Sequence, residues 1–262
     1  MRAMALATGY AIGSVVIVSL ISLIGIITLS WQERFLQRCL FVLVSLAVGA
    51  LFGDAIIHLI PEALSGFDKS ESAALWVLGG VLLFFSIEKF LHWHHHHSTH
   101  GAFEMGGTPT HAAHKNPLGA LIFTADGLHN LIDGIIIGAS YLISIEVGVA
   151  TTLAVILHEI PQEIGDFAIL LHAGYSKAYA LFINFSSALL AIVGVLIVFT
   201  LESASEQFLP AMTALAAGSF LYIAGSDLVP ELHKVTRFQE SLIQFTAIVL
   251  GIALMWALVF LE

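Results

Sequence analysis

The sequence predicts an all-α, polytopic membrane protein with eight transmembrane helices, and three observations predict it. Hydrophobic residues fill 58% of the 262 positions and charged residues only 11%, for a mean hydropathy of +0.94. A soluble domain of this length has no use for so much apolar surface. Apolar stretches of about 20 residues, the length that crosses a bilayer, follow one another along the chain. The lysines and arginines fall between those stretches or at their ends.

In chain order the spans are 4–29, 39–64, 73–91, 117–143, 147–171, 178–201, 208–232 and 242–261. The first runs well past a signal-peptide core and lacks a small-residue cleavage site, so it reads as a retained span. The second carries the single cysteine, Cys39, which leaves neither an intrachain disulfide nor a cysteine-based zinc cluster possible. Between the third and fourth lies a loop of about residues 92–116, opening on "HWHHHHSTH" and flexible by its Gly101, Gly106, Gly107 and Pro109. Asn116-Pro117 reads as an N-cap followed by proline at the first helical position, the start of the fourth span. The whole reads as one transmembrane domain, 1–262, in a lipid bilayer. The balance of 19 acids against 9 bases calls for no nucleic-acid partner.

Basic residues set the orientation. Arg34, Arg38, Lys89, Lys115, Lys177, Lys234 and Arg237 fall on one side of the eight-span plot, against Arg2 and Lys69 on the other. By the positive-inside rule both termini are expected outside a cell membrane and the His-rich loop in the cytoplasm. The second span ends "HLIPEA" and the seventh "DLVPEL", at opposite faces in this topology. An inverted repeat of spans 1–3 and 6–8 around spans 4 and 5 leaves such an echo.

Charges inside a bilayer are costly, so their placement is informative. The fourth span carries Asp126, His129, Asn130 and Asp133; at 100° per residue they fit an arc of about 100°. In the fifth, His158, Glu159, Gln162, Glu163 and Asp166 cover about 140° by the same arithmetic. No lysine or arginine lies at that depth. Either these carboxylates hold protons or something cationic sits among them. His129/Asp133 and His158/Gln162 offer four ligands from two helices, the number a divalent transition ion takes, and Asn130 with Glu159 could form an adjacent site. Pro161 frees the Leu157 carbonyl beside this seam. Gly127, Gly134, Gly138 and Gly165 allow close helix approach.

Other readings fit the same residues. Polar groups in membrane helices serve as interhelical glue, and chains of Asp, Glu and His relay protons. "HEIPQ" at 158–162 nearly spells H-E-x-x-H, with Glu159 where an intramembrane zinc metalloprotease keeps its base and "IDG" on the other helix. The second histidine is missing, however, and a proline interrupts the motif. A metal or proton channel would use the same ligands as a carrier.

"HNLIDG" followed by "HEIPQEIGD" resembles the metal-binding helices of the ZIP (Zrt/Irt-like protein) family, the second motif being similar to its HExPHExGD signature. "GDAIIHLIPEA" and "GSFLYIAGSDLVPEL" are similar to family patterns as well, so the resemblance covers essentially the whole chain. It implies a transporter and not an enzyme. Zinc, or the related ions cadmium, iron and manganese, would be taken up into the cytosol as cargo, with no cofactor. It implies a binuclear site, with His129, Asp133, His158 and Gln162 at the transport position, Asn130 and Glu159 beside it, and Asp133 and Gln162 able to bridge. A homodimer and an elevator-like motion are implied by the resemblance alone. Gln162 departs from the signature, which has histidine there; an amide oxygen is the harder ligand, so metal preference should shift.

Further groups are candidates for the pathway or for accessory metal binding. They are Asp126, Glu163 and Asp166 of the seam, His58 with Asp54 and Glu62 in the second span, and Asp227 with Glu231 in the seventh. The run His94, His95, His96 and His97, with His111 and His114 beyond, suits transient cytoplasmic metal binding.

Overall fold

The computed structural model describes residues 2–28, 32–100, 118–172, 174–201 and 208–261. Among them every regular element is helical. The chain begins with α1 (Arg2–Ile21), which runs through a 3-10 turn (Ser22–Ile24) into α2 (Gly25–Thr28). After it come α3 (Glu33–Gly53), α4 (Ile60–Ser65), α5 (Ser70–His100), α6 (Leu118–Ile143) and α7 (Ile145–His172). The second half holds α8 (Lys177–Ala188), α9 (Leu190–Leu201), α10 (Phe208–Tyr222), α11 (Val229–His233) and α12 (Phe238–Leu258). Among the described residues, six continuous helical stretches are long and apolar enough to cross a membrane. The polar residues of the seam fall on α6 and α7, which at 26 and 28 residues also have the length.

Two helices contain a widened turn. Residues Asp54–Leu59 join α3 to α4, and Ile223–Leu228 join α10 to α11, as π-helix. In each, the first residue after the segment donates five residues back, Ile60 N–H to Ala55 O and Val229 N–H to Ala224 O. The cause stands next in sequence. Pro61 and Pro230 are the second residues of the helices that follow; each lacks an N–H and presses its ring on the preceding turn, which a π-turn relieves. The two echoed phrases thus share one backbone conformation. Pro161 behaves differently, because α7 continues through it without a break.

Three helix pairs are clasped backbone to backbone: α3 with α12, α5 with α10 and α6 with α9. In each, glycines on both partners face the other's main chain. A Cβ on Gly49 would strike Ile248 O and one on Gly251 Leu46 O; Gly80 and Gly218 meet Leu215 O and Val77 O; Gly134 and Gly194 meet Ala191 O and Leu131 O. Small residues of this kind let membrane helices gain contact where lipid supplies no hydrophobic drive. Gly127, Gly134 and Gly138 therefore serve the contact of α6 with α9, and Gly165, expected to do the same in α7, faces open space. Gly218→Val should force α5 and α10 apart, costing about 3 kcal/mol or more because backbone cannot yield as a side chain can. Thermal unfolding in detergent checks this, and an unchanged midpoint would contradict the contact.

The helix α5 also runs further than its apolar composition, so the backbone of residues 92–100 continues the helix where the sequence suggests a loop. Residues 101–117, with His111, His114 and the Asn116-Pro117 start signal, lie outside the described residues.

Candidate metal centre

Ser144 alone separates α6 from α7. Its Oγ accepts Val147 N–H at 3.1 Å and its carbonyl accepts Gly148 N–H at 3.1 Å, so the new helix starts at once. The result is an antiparallel hairpin in which His129 and Asp133 meet His158, and Asp126 meets Gln162.

At its centre four ligand atoms converge. His158 Nε2 lies 3.3 Å from His129 Nε2, 3.1 Å from Asp133 Oδ2 and 3.7 Å from Glu159 Oε1. His129 Nε2 lies 3.7 Å from Asp133 Oδ2 and 3.4 Å from Glu159 Oε1. A tetrahedral zinc with arms of about 2.0–2.1 Å has ligands about 3.3 Å apart. The observed distances bracket that edge, so the donor set fits such an ion. His158 Nδ1 lies 3.1 Å from the Ala154 carbonyl. A carbonyl can only accept, so Nδ1 carries the hydrogen and Nε2 turns its lone pair to the cluster. Asp133 Oδ1 and Glu159 Oε1 are buried without a hydrogen-bond donor, as oxygens meant for a cation would be. Phe84 of α5 and Phe220 of α10 stand edge-on to His129 and His158, at 5.7 and 6.2 Å between ring centres. These rings wall the site and lower its dielectric, which strengthens every charge interaction within it.

One turn away lies a second group, with one oxygen each from Asp126, Glu159 and Glu163 within 4.8 Å of one another. Asp126 accepts from Asn130 Nδ2 at 2.9 Å, from Gln162 Nε2 at 3.4 Å and from Ser187 Oγ. Asn184 of α8 donates to the Glu163 backbone carbonyl at 3.1 Å.

The structure thus brings His129, Asp133 and His158 together as the sequence suggests, with Glu159 beside them. The Gln162 Nε2 donates to Asp126 Oδ1 at 3.4 Å. Asn130 makes the same choice, and its Oδ1 is buried without a donor. Asp166 is half-buried on α7. His58 sits in the first π segment, where Nδ1 donates to Asp54 Oδ1 at 3.1 Å while Asp54 Oδ2 accepts from Thr151 Oγ1 at 2.9 Å. That pair ties the π segment to α7. Thr151→Val should leave a buried carboxylate oxygen unpaired and lower stability by about 1–3 kcal/mol, read from the unfolding midpoint. Glu62 and Glu231 are exposed, the latter paired with Lys234. The side chains of Asp227, His94, His95, His96 and His97 lie outside the described residues. Sequence reasoning missed Phe84, Phe220, Thr151, Asn184 and Ser187; each is an ordinary residue of its helix, and nothing in its local pattern marks it.

Two imidazoles and two carboxylates near tetrahedral spacing, inside a bundle of membrane-length helices, make a cluster that could hold a divalent metal ion. The comparisons with known proteins name the class more narrowly. The family model described as ZIP Zinc transporter matches residues 5–120 and 94–259. The chain is 32% identical to the metal cation symporter ZIP14 of Xenopus tropicalis, over 94% of this chain and 68% of that protein. It is 31% identical to human ZIP14, over 88% of this chain and 61% of the relative, and 31% identical to rat ZIP8, over 87% and 63%. The chain therefore spans about two thirds or less of the length of these relatives. It belongs to the ZIP family, whose members are transporters of metal ions and not enzymes, so the near-match to H-E-x-x-H is no protease motif.

Proposed function

We propose that the chain takes zinc, or a related divalent ion such as iron, manganese or cadmium, across the cell membrane into the cytosol. The ion passes through the hairpin site of His129, Asp133, His158 and Glu159, with a second ion beside it. The observation that carries the reading is the tetrahedral spacing of those four ligand atoms in a region that holds no lysine or arginine. The relatives' description as symporters favours a carrier over a channel. Sealing the protein into liposomes around a zinc-sensitive dye tests it. Zinc-dependent signal should rise with protein and saturate with metal. Empty-vesicle rates would overturn the reading.

Eight spans, with both termini outside, suit this direction of transport. The matched π segments ahead of Pro61 and Pro230, and the matched clasps of α3 with α12 and α10 with α5, support an inverted repeat. In a Cys39→Ser background, a cysteine placed in 202–207 should react with an impermeant thiol reagent on intact cells, and one beside His111 should not. Reversed labelling would invert the direction. A homodimer completes the proposal, as the family resemblance implies.

A further inference from the structure

We propose that the hydrogen bond between Asp54 and Thr151 is a latch that holds one end of the ion's route shut and breaks each time that end opens. The inference rests on the transport reading and deepens it, since it names a contact that sets how often the site opens towards the Ser144 turn.

The helices sort into two groups by their packing. One holds α1, α6, α7, α8 and α9. The other holds the pairs of α3 with α12 and α5 with α10, joined through the first π segment and α4. The groups meet where α3 and its π segment run along α7, and where α10 crosses α6. The metal cluster lies on this seam, its ligands on one group and the rings of Phe84 and Phe220 on the other.

Thr151 precedes His158 by two helical turns, about 10 Å along α7 in the direction of Ser144. Apolar side chains seal that stretch: Leu51, Ala55 and Leu59 on one side and Val147 and Val155 on the other belong to one buried cluster. Past the site in the other direction α7 is less covered, with Gln162 and Asp166 partly exposed. A carrier closes one end of its route while the other stands open. The Ser144 end is the closed one here.

Asp54 and Thr151, both 0% exposed, are polar groups within that seal. Asp54 Oδ1 lies 3.1 Å from His58 Nδ1 of its own π segment, and Oδ2 accepts from Thr151 Oγ1 at 2.9 Å across the seam. A seam meant to stay shut is served by apolar residues alone, because burying a carboxylate is costly unless it is paired. A seam that must part has a use for it. On opening, water replaces the Thr151 hydroxyl as donor, so the bond fixes the closed geometry yet lets go at small cost. Asp54 also begins a π-turn, a feature that recurs at functional sites. Ser19 is different: its Oγ donates to Ala188 O at 2.8 Å inside one group, where nothing has to part.

Reactivity of a buried cysteine reads the latch. In a Cys39→Ser background, Val155→Cys lies one turn from Thr151 and one from Glu159 on the same face of α7. In detergent it should react slowly with a water-soluble thiol reagent. Adding Thr151→Val, which keeps the shape and removes the hydroxyl, should speed the reaction about tenfold or more, the weight of a hydrogen bond to a charged group. Thr151→Ala should do the same, and Thr151→Ser should keep the reaction slow. Ser19→Ala costs a buried hydrogen bond within one group, so it reports what general loosening does, and it should leave the rate unchanged. Ala55→Cys, on the opposite wall, repeats the measurement should Val155→Cys fold poorly. Fast reaction of the parent, equal rates with and without the Thr151 hydroxyl, or equal acceleration by Ser19→Ala overturns the proposal. Zinc uptake measured alongside keeps the two readings apart. Uptake by the wild type with labelling indifferent to Thr151 defeats the latch alone, whereas a wild type without uptake defeats the transport reading.

Discussion

Asp133→Ala and His158→Ala should each lower zinc uptake by roughly 100-fold or more, since perturbing even the groups that support a metal ligand costs about 10–100-fold and these are the ligands we propose. Both residues are almost wholly buried, at 0% and 2% exposure, so water cannot enter freely to replace them. His158 Nε2 is within 3.1–3.7 Å of all three other atoms of the cluster, so its loss opens every contact at that corner. Folding should survive, because removing Asp133 also removes one of several carboxylates crowded without a lysine or arginine. Asp133→Asn, of nearly the same shape, guards against packing loss. Uptake by vesicles, beside surface labelling that measures insertion, checks the result. Wild-type uptake by a well-inserted double variant would end the assignment.

The second large effect is on selectivity. Gln162→His should raise the affinity for zinc relative to manganese by about tenfold or more, as a neutral imidazole replaces an amide on the site's face of α7. Gln162 donates to Asp126 at 3.4 Å, so its loss also loosens the oxygen-rich side. Tighter zinc should leave more slowly, and turnover should fall as affinity rises. Paired binding and uptake measurements with both metals test this. An unchanged ratio would mean that position 162 only positions Asp126.

Much of this architecture is legible in the chain because membrane helices announce themselves by length and apolarity, and because His129 and Asp133 share a face at i,i+4. The place of Glu159 is less legible. It and Gln162 lie within one arc of the helix, and only the rotation of α7 against α6 sets how near each comes to His129 and Asp133. Phe84 and Phe220 come from helices distant in sequence, so no spacing rule reaches them. Pro61 and Pro230 are visible as an echo, yet the widened π-turns before them depend on how each helix relieves the missing N–H; Pro161 sits in a helix that continues. The helical run of α5 past its apolar residues is missed for a simpler reason. Polarity changes at the histidines, but histidine does not break a helix.

The most direct test of the central claim is to locate the ion. Crystals grown with zinc and recorded at its absorption edge should show an anomalous peak about 2.0–2.1 Å from Nε2 of His129 and His158 and from an Asp133 oxygen. A peak confined to residues 92–100, with none between α6 and α7, would contradict the account.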